Sequence, residues 1–355
     1  MKNIRFILFV FALCWAFNAI AQETQIKENI VPDEKSSSTL APAGTQKNTQ
    51  EEKALNNIDE LKAKADGGDL EAQLDLGYMY LYGVNGTNID YKQALTYYEM
   101  AAKQDSAVAY NNLGSLYFSG IGTDVDYPKA IHFFEEAARL GSSDAAVNLA
   151  IIYLGSDTNK SEEDFKKIHQ LLEQAQSENS IAKYLLGYCY LKGFMVKQNQ
   201  VKAFQLIKPL ADEKYDEAQY ILTDFYINGW GTTKNYNRAI TSLQKAADQG
   251  NSAAIMRLAD TLVEGKIYTK DIKKAHVLYN VASVMGEKGA AEKRDALESN
   301  LAIEDLLAVQ AEAEDYKPEP SEKTTFIRQT FGGSLKAYID SYIKPQKSKD
   351  TTPAK

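Results

Sequence analysis

Residues 109–138 read AYNNLGSLYFSGIGTDVDYPKAIHFFEEAA. The segment opens with Ala109, Leu113 and Tyr117 at i, i+4 and i+8, the spacing of one helical face. Gly114 adjoins the central leucine, and Gly120 closes the segment. Asp126-Tyr127-Pro128-Lys129 then starts a second helical pattern, in which Ala130 and Ala137 stand seven apart around Phe133-Phe134. The predicted unit is a helix, a glycine-containing loop and a helix.

The unit recurs. Leucines at 76, 113, 149, 186, 222 and 258 are spaced by 37, 36, 37, 36 and 36 residues. An alanine precedes each by four: Ala72, Ala109, Ala145, Ala182, Ala218 and Ala254. Four residues after each stands Tyr80, Tyr117, Tyr153, Tyr190, Tyr226 or Leu262. Gly77, Gly114 and Gly187 follow three of the leucines directly. Glycine within a helix costs about 1 kcal/mol relative to alanine, so its recurrence at one register implies that another helix passes close there. A lone two-helix unit cannot bury both its faces, whereas stacked units share a continuous core. The third copy is the weakest, with an altered loop at 156–163.

Ala-x-x-x-Leu-Gly-x-x-Tyr-x-x-Gly followed by Asp-Tyr-x-Lys-Ala and a closing Ala-Ala resembles the Sel-one-like repeat family, a relative of the tetratricopeptide repeats. The period exceeds the tetratricopeptide 34, and Gly-x-Gly-Thr stands in the loop at 120–123 and 229–232. The resemblance covers roughly residues 69–310. It implies an all-α, right-handed α-α superhelix, a solenoid of about six two-helix repeats with helical caps. It implies a binding scaffold for protein or extended peptide, with roles in envelope assembly, secretion or host interaction. Some disulfide-rich relatives are linked to cell-wall peptides or β-lactams, which makes a hydrolase the alternative. Those relatives carry a cysteine pair in each repeat, and this chain has two cysteines in all.

The expected organisation has a signal peptide at 1–21, a disordered linker at 22–50 and an N-terminal capping helix at 51–68. Six repeats follow at 69–286, a partial repeat and cap at 287–316, and a tail at 317–355. Lys2 and Arg5 precede an apolar run from Phe6 to Phe17, and Ala19-Ile20-Ala21 places cleavage before Gln22. A bacterial periplasmic or secreted location is therefore expected, with membrane contact only through the signal before cleavage. Cleavage would leave 38 basic and 48 acidic residues, a charge of −10. Cys14 would leave with the signal, so Cys189 stands alone without an intramolecular disulfide. An acidic chain without a basic block does not suit nucleic acid. In the tail, Leu335, Tyr338, Ile339, Tyr342 and Ile343 form a helical stripe, read either as a last helix on the solenoid end or as a partner-docking segment.

No nucleotide, metal or nucleophile motif is present, so no catalytic residue, metal site or cofactor is expected. His132, His169 and His276 fall in second helices of different repeats, read as isolated surface or half-buried side chains. Cys189 occupies an apolar register, which suits a buried, unreactive thiol. Side chains two residues beyond the alanine or the leucine, and again one turn further, point roughly opposite the core stripe. In tetratricopeptide relatives that face lines the concave groove. Here it carries Tyr78, Tyr82, Asn111, Tyr184, Tyr188, Tyr220, Asp224 and Asp260. These positions are expected to bind a neutral to basic partner, unless packing between repeats buries the rings.

Overall fold

A computed structural model of the chain describes residues 58–155 and 161–331, all of whose regular elements are helices. The signal, the linker and the 335–343 stripe lie outside the described residues, as does the middle of the third loop. The chain forms two compact units, Met1–Asn179 and Ser180–Lys355.

In the first unit, α1 (58–66) caps three hairpins. These are α2 (Leu70–Tyr82) with α3 (Tyr91–Ala102), α4 (Ala107–Ser119) with α5 (Tyr127–Arg139), and α6 (Ser143–Gly155) with α7 (Glu162–Ala175). The second unit holds α8 (Ser180–Lys192) with α9 (Gln200–Asp212), α10 (Asp216–Asn228) with α11 (Tyr236–Asp248), and α12 (Ser252–Glu264) with α13 (Ile272–Val284). Three further helices follow: α14 (Ala290–Glu298), α15 (Ile303–Glu314) and α16 (Glu322–Phe331). α14 and α15 fall within residues 287–316, where a partial repeat and cap are expected. None of the described helices is long and apolar enough to cross a membrane.

Local chemistry sets each boundary. Asp90, Asp126, Asn199, Asn235 and Asp271 cap the second helices by accepting backbone N–H groups from the first turn. In five of the six hairpins the loop into the second helix returns to one place: the N–H groups of Asp90, Asp126, Asn199 and Asn235 donate to the carbonyls of Tyr80, Tyr117, Tyr190 and Tyr226 at 2.8–2.9 Å. Asp271 repeats the bond to Leu262 at 3.1 Å. The period in the sequence is therefore a period in backbone hydrogen bonding.

The alanine and leucine registers are buried in all six copies. The glycine register is explained by contact: a Cβ at Gly114 would lie 2.7 Å from the Phe134 ring, and one at Gly77 would lie 2.6 Å from Tyr98. The close neighbour is a side chain of the unit's own second helix, an aromatic ring at Gly77 and Gly114 and Ile207 at Gly187. In Gly-x-Gly-Thr, the second glycine, Gly122, has φ +73° and lies against the backbone of Tyr91, so each such loop rests on the preceding repeat.

Polar bonds also tie repeat to repeat. Gln73 reaches the Ala65 carbonyl and accepts from Gln104, and Gln219 does the same with Ala211 and Gln249. Asn179 donates to Asp144 and Asn251 to Asp216. Burial raises the pKa of Asp144 above its ordinary value, with the Asn179 bond opposing. A carboxyl raised in the folded state contributes most in acid and loses that contribution as pH rises through its pKa. Asp144→Asn is therefore expected to stabilise the protein at pH 7. The gain should vanish near pH 4, as read by urea unfolding at the two pH values.

One expectation is corrected here. His276 is completely buried, neither half-buried nor on the surface, and lies 3.5 Å from Glu298. The segment from Tyr316 onward folds back over the turns that begin the repeats at 180, 214–216 and 249–251.

Candidate first-helix recognition face

The first helices are packed on both sides, which divides the expected site residues into two groups. Tyr184 and Tyr188 are 0% and 1% exposed. Their rings stack at 6.3 Å, and Tyr215 from the start of the next hairpin meets Tyr184 edge-on at 5.2 Å. Burial, with Glu217 beside them, pushes the phenols of Tyr184 and Tyr215 well above their usual range. Asn111 is also buried and accepts from Asn148 at 3.1 Å, while Tyr78 is buried with its ring 4.6 Å from Tyr82. Packing between repeats closes over these positions, the alternative to partner binding. They are enclosed because a direction 200° from the core stripe points at the neighbouring first helix.

Tyr82, Tyr220, Asp224 and Asp260 remain partly exposed. In the second unit, the Arg257 guanidinium donates to Asp224 at 2.6 Å and stands over the Tyr220 ring at 5.7 Å. Burial pulls the Arg257 pKa down, but the bonds to Asp224 and Tyr220 outweigh it and hold the group above its ordinary value. Asp260 accepts from the Tyr279 hydroxyl at 2.6 Å and from Lys293 at 2.5 Å. Both acids are therefore matched by a cation from the next repeat. The surface they form is a set of phenols and neutralised charge pairs.

Arg257 and Lys293 were missed by the reading of motifs. Each stands 33 residues after its acid, so a search for opposite charges at that spacing would have found them. A second recurrent group was also missed. Tyr117 donates to Glu99 at 3.2 Å and accepts from Lys129 at 2.6 Å, and Tyr153 repeats this with Glu135 and Lys167. Lys202 donates to Tyr190 in the same way. The tyrosine and its lysine, 12 residues apart in two copies and 14 in the third hairpin, thus serve hairpin closure. Each exposed pair contributes only about 0.2–1 kcal/mol.

Among the described residues no cluster of His, Cys, Asp and Glu could hold a metal ion. Cys189 is buried, and burial pushes its thiol up to about 12, which keeps it protonated at neutral pH.

A family model described as Sel1 repeat matches residues 70–106, 107–142, 180–215, 216–251 and 252–287. The third hairpin, weakest in the sequence, is not among the matched copies. Two solved structures are similar. One is a protective antigen from uropathogenic Escherichia coli with an SLR fold, at 20% identity and a TM-score of 0.52 over 86% of this chain and 73% of that one. The other is a Sel1 repeat protein from Oxalobacter formigenes, at 26% identity and a TM-score of 0.50 over 64% of this chain and 96% of that one. No curated protein matches by sequence.

Proposed function

This chain belongs to the Sel1 repeat family, and from that premise we propose that it is an exported scaffold which binds a partner protein or extended peptide along its first helices. Repeats of this family are scaffold modules that generally bind proteins. The observation that carries the finer reading is the partly exposed group Tyr220, Asp224, Arg257 and Asp260, with Tyr82 as its counterpart in the first unit. Tyrosine offers contact area and a hydroxyl at little entropic cost. Because Arg257 and Lys293 neutralise the two acids, the face favours a neutral peptide over a strongly basic one. Export rests on Lys2, Arg5, the apolar run 6–17 and Ala19-Ile20-Ala21.

Two measurements test this reading. Affinity capture from the envelope fraction with wild type and with the Tyr82→Ala/Tyr220→Ala chain should show at least a tenfold loss of the captured partner in the variant. Equal recovery would remove this face from consideration. Mass spectrometry of the purified native protein should find Gln22 at the N-terminus, and an intact residue 1 on protein in the cytoplasm would contradict export.

A further inference from the structure

The segment from Tyr316 to Phe331 is held on the second unit mainly by specific polar contacts. The Tyr316 hydroxyl donates to the Ala247 carbonyl at 2.6 Å, and the Glu319 N–H donates to the Asp248 carbonyl at 2.9 Å. Pro318 lies against Gly250. At the start of α16, the Ser321 hydroxyl donates to the Lys214 carbonyl at 2.7 Å, and the Ser321 N–H donates to Gln249 Oε1 at 2.9 Å. Thr324 is fully buried. Its hydroxyl accepts from the Asp216 N–H at 3.1 Å and donates to Gln249 Oε1 at 2.8 Å. One turn on, Arg328 donates to Asp216 Oδ2 at 2.7 Å. Lys323 reaches Ser180 and Glu213. The segment therefore reads the starts of three successive repeats.

The receiving surface keeps part of its bonding without the segment. Asp216 Oδ2 still accepts from Asn251 at 3.0 Å, and Gln249 Nε2 still donates to Gln219 Oε1 at 2.8 Å. Gln249 Oε1, which accepts from Ser321 and Thr324, is the acceptor that the segment's departure would free. Beyond Thr324, Ile327 is the deeply buried side chain of α16 among the described residues. An attachment that leans on hydrogen bonds over apolar area belongs to the part of a structure that opens locally.

We infer that the turn face built by Lys214, Asp216 and Gln249 is a peptide-binding site for a helix opening with Ser-x-x-Thr-x-x-x-Arg, and that the chain's own residues 316–331 fill it in cis as a displaceable ligand. The inference rests on the scaffold reading but assigns a different surface, with a ligand of defined chemistry. Tethering gives the cis segment an effective concentration on the order of millimolar. A partner presenting the same pattern must compete with it, so binding there is coupled to release of α16.

The test uses the full chain and a labelled synthetic peptide of residues 316–331, read by fluorescence anisotropy. Wild type should bind the peptide weakly, because its own segment occupies the site. A chain with Thr324→Ala/Arg328→Ala should bind at least tenfold tighter, and adding Asp216→Asn should abolish the gain. Equal titrations of wild type and the loosened chain, with helix content unchanged, would overturn the inference. If the loosened chain does not fold, hydrogen exchange on wild type decides. Amides of 322–331 exchanging at least tenfold faster than those of 216–228 support a displaceable segment, and equal rates overturn it. The outcome is separable from that of the scaffold reading. Loss of the captured partner in Tyr82→Ala/Tyr220→Ala, together with no peptide binding here, would keep the scaffold and remove this site.

Discussion

Gly114→Val is expected to destabilise the first unit by roughly 3 kcal/mol or more. The Cβ alone would lie 2.7–2.9 Å from three carbons of the Phe134 ring. Phe134 is itself fully buried and closes α5 onto α4, so the ring has nowhere to retreat without opening the hairpin. Valine adds two further methyl groups to that contact. Overpacking of a dense interior costs about 1–3 kcal/mol for far smaller insertions. In an array stabilised by nearest neighbours, the damage should appear as faster hydrogen exchange in 107–139 and a lower urea midpoint. A second substitution makes the assignment specific. Phe134→Ala in the Gly114→Val background should cost less than Phe134→Ala alone, because the two side chains compete for one space. Additive effects would show that the glycine is not there for the ring.

The second large effect is expected for Phe225→Ala in α10. Phe225 is completely buried, with the Phe204 ring at 5.6 Å and the Trp230 ring at 6.4 Å. Truncation of a buried phenylalanine costs about 3–5 kcal/mol, the transfer loss plus the cavity left behind. Tyr236→Ala supplies the contrast within the same hairpin. Tyr236 is 51% exposed and the capping bond of α11 comes from Asn235, so the substitution is expected to stay within about 0.5 kcal/mol. Chemical denaturation of the two variants should separate them by several kcal/mol. Similar midpoints would mean that the buried aromatic register does not carry the hairpin.

The core of this molecule is legible in its sequence because packing repeats it. Ala109 and Leu113 have buried alanine and leucine counterparts in all six copies, and Gly114 has glycine counterparts in two others, each against a side chain of the second helix. The Asp126-Tyr127 start and the Gly120 and Gly122 turns are legible for the same reason, since each answers a fixed backbone demand. The surface is harder to read. Tyr184 and Tyr220 occupy equivalent positions, yet the first is buried against Tyr215 and the second is partly exposed beside Arg257. Register gives a direction on a helix, but not what the next helix places there. The pairing of Asp224 with Arg257 is hidden because the partners lie a repeat apart. The docking of α16 is hidden because Ser321, Thr324 and Arg328 hold it by hydrogen bonds, and a hydrophobic stripe does not register those. His276 shows the same limit: a polar residue on a second helix read as half-exposed, yet its place in α13 is fully enclosed.

In the proposed scaffold, recognition runs along the partly exposed first-helix residues and not over the second-helix surface. Site-specific photo-crosslinking in the producing cells tests it most directly, with a photoreactive phenylalanine at position 220 in one chain and at exposed Thr241 of α11 in another. A discrete protein adduct from position 220 and none from position 241 is the predicted result. Adducts from position 241 alone would place the partner on the opposite surface and contradict the account.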